Sequence, residues 1–236
     1  MERVCEPELM DDALQARCYA EADFSASDAD LIERLLALLP AGQRVRRVLD
    51  LGCGPGTITF RLARAFPDAQ VVGLDGAEAM LAIARERLAS EPHLQGRLRF
   101  VAARLPLSHQ AASALDGPFD LLVSNSLLHH LHDPQALWQS LPALAATGAR
   151  LVLRDLRRPL DPTGVDALVR RHAPDASVQL RHDYEHSLRA AFRLAEVRQQ
   201  LSQAGLVGLE LAERDDRYLE RSEEHTSELQ SHSDLV

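Results

Sequence analysis

The chain of 236 residues contains no lysine; all 26 of its basic residues are arginine. A glycine-rich loop in this sequence therefore cannot be a Walker A phosphate loop, which needs a lysine to reach the terminal phosphates. Cysteine is scarce as well. Cys5, Cys18 and Cys53 are odd in number and unpatterned, which argues against a structural disulfide and for a reducing, cytoplasmic setting. No apolar run approaches the ~20 residues that span a bilayer, and the opening residues lack the basic and apolar regions of a secretory signal. Aromatic residues make up 4% of the chain, whose net charge is −9. There is no long basic stretch interleaved with aromatics to neutralise and stack on nucleic acid, so the balance argues against such a partner.

What is present suits one α/β domain. Apolar residues make up 46% of the sequence, enough to bury a sizeable core at this length. The exclusive use of arginine, with abundant alanine and leucine, has the look of GC-rich bacterial codon usage. The most informative stretch is Val48-Leu49-Asp50-Leu51-Gly52-Cys53-Gly54-Pro55-Gly56-Thr57. An apolar run ends in an acid, three glycines alternate with other residues, and Thr57 opens an amphipathic segment. That order predicts a strand, a tight turn and a helix N-terminus. Glycine permits positive φ and lets a ligand approach the main chain closely, and the first N–H groups of a helix offer an anion site. Asp50, at the strand end, suits a cationic or hydroxyl-rich group. A second acid, Asp75, closes the short apolar strand Val71–Leu74 and lies 25 residues beyond Asp50. A carboxylate at such a strand end accepts both ribose hydroxyls. The ligand implied carries a nucleoside.

The spacing Gly52-x-Gly54-x-Gly56 departs from the G-x-G-x-x-G of dinucleotide sites. Together with Asp75, the phrase Asp50-Leu51-Gly52-Cys53-Gly54-Pro55-Gly56-Thr57 resembles motif I of class I S-adenosylmethionine-dependent methyltransferases. The resemblance extends over about residues 30–220. It implies a Rossmann-like α/β fold, a mostly parallel seven-stranded sheet in order 3-2-1-4-5-7-6 with helices on both faces. It also implies S-adenosyl-L-methionine as cofactor, contacted by Asp50, Gly52, Cys53, Gly54, Gly56, Thr57, Asp75, Gly76, Met80 and Asn125. Relatives usually carry an acid for the adenine amino group after the third strand. Here Ala103-Arg104-Leu105-Pro106 stands in its place, which leaves the adenine to backbone around Arg104 and Leu105.

The periodicities alternate as a doubly wound sheet requires. Helices are expected at 7–22, 28–39, 57–66, 77–89, 134–146, 163–173 and 187–204. Strands are expected at 45–51, 70–75, 97–103, 118–125, 149–154 and 206–213, with a final fragment at 217–220 forming a hairpin around Arg214-Asp215-Asp216. Ligands in such sheets bind outside the carboxyl ends of the strands, so those ends hold the remaining candidates.

After the fourth strand, Ser124-Asn125-Ser126-Leu127-Leu128-His129-His130-Leu131-His132-Asp133-Pro134 is similar to the corresponding segment of small-molecule methyltransferases, including those of ubiquinone and menaquinone biosynthesis. His129 and His130 are the candidate general bases, since imidazole near neutral pKa suits proton removal from a hydroxyl. Packing around a helix entry is the competing reading. No nearby cysteine or established carboxylate completes a metal site with these histidines, so no metal is expected. Past the fifth strand, Asp155, Arg157 and Arg158 are candidate substrate contacts, an arginine there suiting an anionic group. Tyr184 and His186 are candidate pocket residues, in a segment that reads equally well as a solvated helix cap.

The expected division is residues 1–40 as N-terminal helices covering the substrate, 41–220 as the cofactor-binding domain, and 221–236 as a tail. The tail, from Arg221-Ser222-Glu223-Glu224-His225 onward, resembles the translation of a sequencing adapter, with a natural disordered segment as the rival. On the adapter reading the seventh strand is cut short and the sheet weakened. The function expected is methyl transfer to a small-molecule acceptor. A non-catalytic, regulatory S-adenosylmethionine binder and an RNA methyltransferase stay open as alternatives. The sulfonium already activates the methyl group, so the fold points to the donor and leaves the acceptor and the oligomeric state open.

Overall fold

In the computed structural model, residues 1–40, 42–206, 208–209 and 211–221 are described. The expectation for the tail, including a weakened last strand, falls on residues outside these apart from Arg221. Two helices, α1 (Ala13–Glu21) and α2 (Ser25–Leu38), precede the sheet. The first half then alternates β1 (Arg47–Leu51), α3 (Thr57–Ala65), β2 (Gln70–Asp75), α4 (Glu78–Ala89), β3 (Leu98–Ala102), α5 (His109–Ala114) and β4 (Phe119–Asn125). A 3-10 turn at Leu128–His130 leads to the short helices α6 (Gln135–Trp138) and α7 (Leu141–Leu144). The second half comprises β5 (Ala145–Leu156), α8 (Pro162–His172), α9 (Val178–Ala190), α10 (Leu194–Gln203), β6 (Leu211–Glu213) and β7 (Tyr218–Arg221).

The seven strands lie in the order β3-β2-β1-β4-β5-β7-β6. β1 to β5 are mutually parallel, and β7 runs antiparallel to both β5 and β6. The order therefore reverses between β1 and β4, and there the crevice opens at the carboxyl ends of both strands. Alternate residues of the central strands enter opposite apolar layers, as the two-residue period demands. Leu49, Leu51 and Leu122 pack with Trp138, Leu141 and Leu153 on one side. Val48, Leu121 and Val123 pack with Leu31, Leu35, Ile58 and Leu62 on the other.

Two expected helices are broken. The segment expected as one helix at 134–146 is divided into α6 and α7, and β5 begins already at Ala145. The helix expected at 187–204 is interrupted at Ala191–Arg193. There the backbone turns outward to the sheet: the Arg158 N–H donates to the Phe192 carbonyl at 3.3 Å, and Arg158 Nη1 to the Ala191 carbonyl at 2.7 Å. Carbonyls captured in this way are lost to the helical ladder. No helix among the described residues is long and apolar enough to cross a membrane.

Candidate active site

The loop after β1 is wound by positive φ at Gly52, Gly54 and Gly56, at 71°, 52° and 83°. Gly56 caps α3 in the left-handed conformation, which favours glycine. A Cβ on it would meet Phe100 at 2.8 Å, whereas one on Gly54 would meet nothing within 4 Å. Gly56 therefore serves the fold, while the space over Gly54 is open to the cavity. The turn is tied to the next strand end. Asp75 accepts the Gly54 N–H at 2.8 Å through one carboxylate oxygen and the Ala77 N–H at 2.7 Å through the other. Burial pushes the Asp75 pKa up, and these backbone donors oppose the shift.

Behind the loop Asp50 is fully buried and accepts the Thr59 hydroxyl at 2.6 Å. Burial raises its pKa to about 7, with the Thr59 bond pulling down and the nearby Asp75 and Asp28 charges adding to the rise. Asp28 is raised to about 6, again chiefly by burial. Two carboxyls that titrate near neutrality thus face one space. Cys53 lies beside them, its thiol held protonated by burial.

That space is a cavity of about 980 Å³. Of the expected cofactor residues, Asp50, Gly52, Cys53, Gly54, Thr57, Asp75, Gly76, Met80, Arg104, Leu105 and Asn125 line it, and Gly56 does not. His129, His130 and Tyr184 line it too. The volume lies at the upper end of the range for ligand pockets, about 300–1,000 Å³, with room for a donor and a small acceptor together.

The expected substrate residues part company. Asp155 turns away from the cavity and is buried, accepting His129 Nδ1 at 2.7 Å and the Leu128 N–H at 2.7 Å. Arg157 pairs with Glu213 at 2.9 Å and donates to the carbonyls of Asp215 and Asp216. Arg158 is buried against Glu196 at 2.6 Å. Neither arginine lines the cavity, because the hairpin and α10 supply acceptors nearer at hand. His186 packs edge-on against His182, with ring centroids 4.0 Å apart, and also lies off the cavity.

The cavity is closed by residues that no local pattern marked. Leu9, Met10, Cys18 and Tyr19 line it from the N-terminal segment, and Arg171, Asp183 and Arg217 from the segments after β5. Glu6 comes within 3.6 Å of His129 Nε2 and 3.2 Å of His130 Nδ1. His129 is fully enclosed. Burial lowers its pKa, but the Asp155 charge and hydrogen bond outweigh this and leave it raised; the His130 ring is pushed well down by burial and by the histidine beside it. Only the capping chemistry of the glycine loop and the strand-end acid could be read locally; contacts across more than a hundred residues could not.

Comparison with known proteins places the geometry. Residues 49–151 match the family described as "Methyltransferase domain". Trans-aconitate 2-methyltransferase of Variovorax paradoxus is 40% identical over 122 residues, covering 52% of this chain and 42% of that protein. Its counterpart in Methylobacterium radiotolerans is 37% identical over 129 residues, covering 55% and 45%. The match thus spans less than half the length of these relatives. Among solved structures, a SAM-dependent methyltransferase from Aquifex aeolicus superposes with a TM-score of 0.60 at 17% identity, covering 88% of this chain and 96% of the other. Magnesium protoporphyrin IX methyltransferase from Synechocystis, solved with bound SAH, superposes with a TM-score of 0.55 at 21% identity, covering 87% and 90%. At these identities the two structures establish the shared fold.

Proposed function

We propose that this chain, which carries a methyltransferase domain of the class I S-adenosylmethionine-dependent fold, transfers the methyl group of S-adenosyl-L-methionine to an oxygen of a small organic acid. The observation that carries the reading is the bond between Asp75 and the Gly54 N–H, which joins the ribose-type acid to the glycine turn at the mouth of one cavity. In this reading Asp75 accepts the ribose hydroxyls, Gly54 lets the cofactor approach the backbone, and Asp50 meets the methionine ammonium. Met80, Arg104 and Leu105 flank the adenine, and Asn125 flanks the methionine portion. The bound cofactor supplies an electrophilic methyl group; the chain aligns the acceptor and excludes water.

The relatives named for trans-aconitate support a carboxylate acceptor, as does Arg217 along the cavity wall. A carboxylate is already a nucleophile and needs no base. The pairing of His129 with Asp155 favours a second reading, a hydroxyl acceptor whose proton passes to a histidine. Residues 1–40 act as the acceptor cover, a role supported by the cavity positions of Leu9, Met10 and Tyr19. We place the protein in the cytoplasm, in keeping with three unpaired cysteines. The negative net charge favours a small-molecule over a nucleic-acid partner. Calorimetric titration with S-adenosylmethionine tests the donor, and labelled methyl transfer to trans-aconitate, a set of small hydroxy acids and an RNA fraction tests the acceptor. Donor binding without transfer to any of them would favour a regulatory binder.

A further inference from the structure

Glu6, His129 and His130 meet where the N-terminal segment crosses the turn after β4. We propose that their Glu6 carboxylate and two imidazole nitrogens form a binding site for a divalent cation of the zinc type, open to the cavity. The proposal is independent of methyl transfer.

The distances carry the argument. Glu6 Oε1 lies 3.6 Å from His129 Nε2 and 3.2 Å from His130 Nδ1, and all three ligand atoms lie within 4.8 Å of one another. Hydrogen bonds of this kind run from about 2.7 to 3.2 Å, so the first contact is too long for one. The His130 Nδ1 atom is buried and has no hydrogen-bond partner. Ligands about 2.0–2.1 Å from a tetrahedral zinc ion stand roughly 3.3–3.4 Å apart, and the two carboxylate–imidazole distances bracket that value.

The surrounding groups hold the ligands as a metal site needs. His129 is fixed through its other nitrogen by Asp155 at 2.7 Å, the carboxylate–histidine arrangement that orients metal-binding imidazoles. Asp155 is itself anchored by the Leu128 N–H. Glu6 is held by the Ser187 hydroxyl, 3.1 and 3.3 Å from its two oxygens. The charged groups nearby are Asp155 and Asp183 beside Glu6, and Arg3, which donates to the His129 and Leu131 carbonyls. The balance of Glu6, Asp155 and Asp183 against Arg3 favours a cation. Two imidazoles and one carboxylate are a donor set for zinc or another borderline divalent ion. Both histidines line the cavity, so water or an acceptor oxygen can complete the coordination. The carboxylate is not a local one; the fold brings it from 123 residues before His129.

The test is titration of chelator-treated protein with Zn²⁺ alone, with neither cofactor nor acceptor present. One ion per chain is expected, with at least a 100-fold loss of affinity in E6Q and in H130Q. D155N should weaken binding by about 10–100-fold, the usual effect of removing such an orienting partner. An H182Q/H186Q double variant, altered at the other histidine pair, should still bind one ion. Substitution with Co²⁺ should give the intense visible bands of a four-coordinate site, a readout that stands even if a variant fails to fold. Absence of stoichiometric binding, affinity unchanged in E6Q and H130Q, or only the weak bands of six-coordinate Co²⁺ would each overturn the site.

Discussion

Asp155 Oδ1 lies 2.7 Å from His129 Nδ1, and both side chains are buried. The carboxylate that the strand-end position marked for substrate therefore works at one remove, setting the ring whose other nitrogen faces Glu6.

This relationship separates the two acceptor chemistries. General-base catalysis contributes about 10²–10⁴-fold where a proton must leave. A carboxylate acceptor has none to lose. With trans-aconitate as acceptor, D155N is expected to keep its single-turnover methyl-transfer rate within about 10-fold of the parent. A drop of 10²-fold or more with a hydroxyl acceptor, at unchanged cofactor affinity, would instead assign His129 to proton removal.

Asp75 should dominate cofactor affinity. Hydrogen bonds to charged groups contribute roughly 1.5–3 kcal/mol each, so loss of a bidentate ribose contact in D75A should weaken S-adenosylmethionine binding by about 100-fold or more. Because Asp75 also holds the Gly54 and Ala77 N–H groups, D75N serves as the gentler companion. It keeps one acceptor oxygen and should lose less. Equal calorimetric affinity in D75A and the parent would move the ribose elsewhere.

Two glycines of one loop should fail in different ways. G56A places a Cβ 2.8 Å from Phe100 at a φ of 83°; strain and overpacking together should cost about 2–4 kcal/mol in urea unfolding. G54A meets open space, so its cost is the left-handed backbone alone, about 1–2 kcal/mol. Its methyl group occupies the ligand's approach, and cofactor affinity should fall out of proportion to stability. The reverse ranking would mean the cofactor does not approach Gly54.

These side-by-side differences show what the sequence could carry. The strands β1, β2 and β4 are continuous apolar runs, buried on both faces and ending at or beside an acid or Asn125, so they were legible. Gly52, Gly54 and Asp75 were legible because glycine and a strand-end acid have local reasons to exist. Glu6 was not, because its meaning comes from a contact with His130 across the whole first half of the chain. The pairing of Arg157 and Arg158 away from the cavity was hidden for the same reason: their acids, Glu213 and Glu196, come from elements folded back much later. The break between α9 and α10 has no helix-stopping residue; it arises from Arg158 capturing the carbonyls of Ala191 and Phe192.

The last strand is held by charge as well as by pairing. Glu220 is buried in β7, accepts Arg34 Nε at 2.8 Å and lies 3.4 Å from Arg154, itself fully buried. Removing one member of a buried pair costs about 3–5 kcal/mol. Arg154 keeps Asp30 at 2.7 Å, so E220Q is expected at the lower end, near 3 kcal/mol. Asp30 is itself half exposed, and D30N should cost less than about 1 kcal/mol. Chemical denaturation of both variants checks the order.

Asp50 should make stability and cofactor binding depend on pH, with a sign that follows from its burial. Its carboxyl titrates at 3.8 when exposed and at about 7 in the fold. Below pH 3.8 both states carry the proton. As pH rises from there, the unfolded chain loses it first while the folded chain retains it to about 7, so the folded state binds more protons and its stability falls across that window. The slope is at most about 1.4 kcal/mol per pH unit. D50N has no such proton, and its stability relative to the parent should therefore rise between about pH 4 and pH 7 and level off above. A ligand ammonium beside Asp50 reverses the preference by favouring the carboxylate. S-adenosylmethionine binding near pH 6 should then release a proton, visible as a calorimetric heat that changes with the ionisation enthalpy of the buffer in the parent protein and not in D50N. A buffer-independent heat in the parent would show that the ammonium binds away from Asp50.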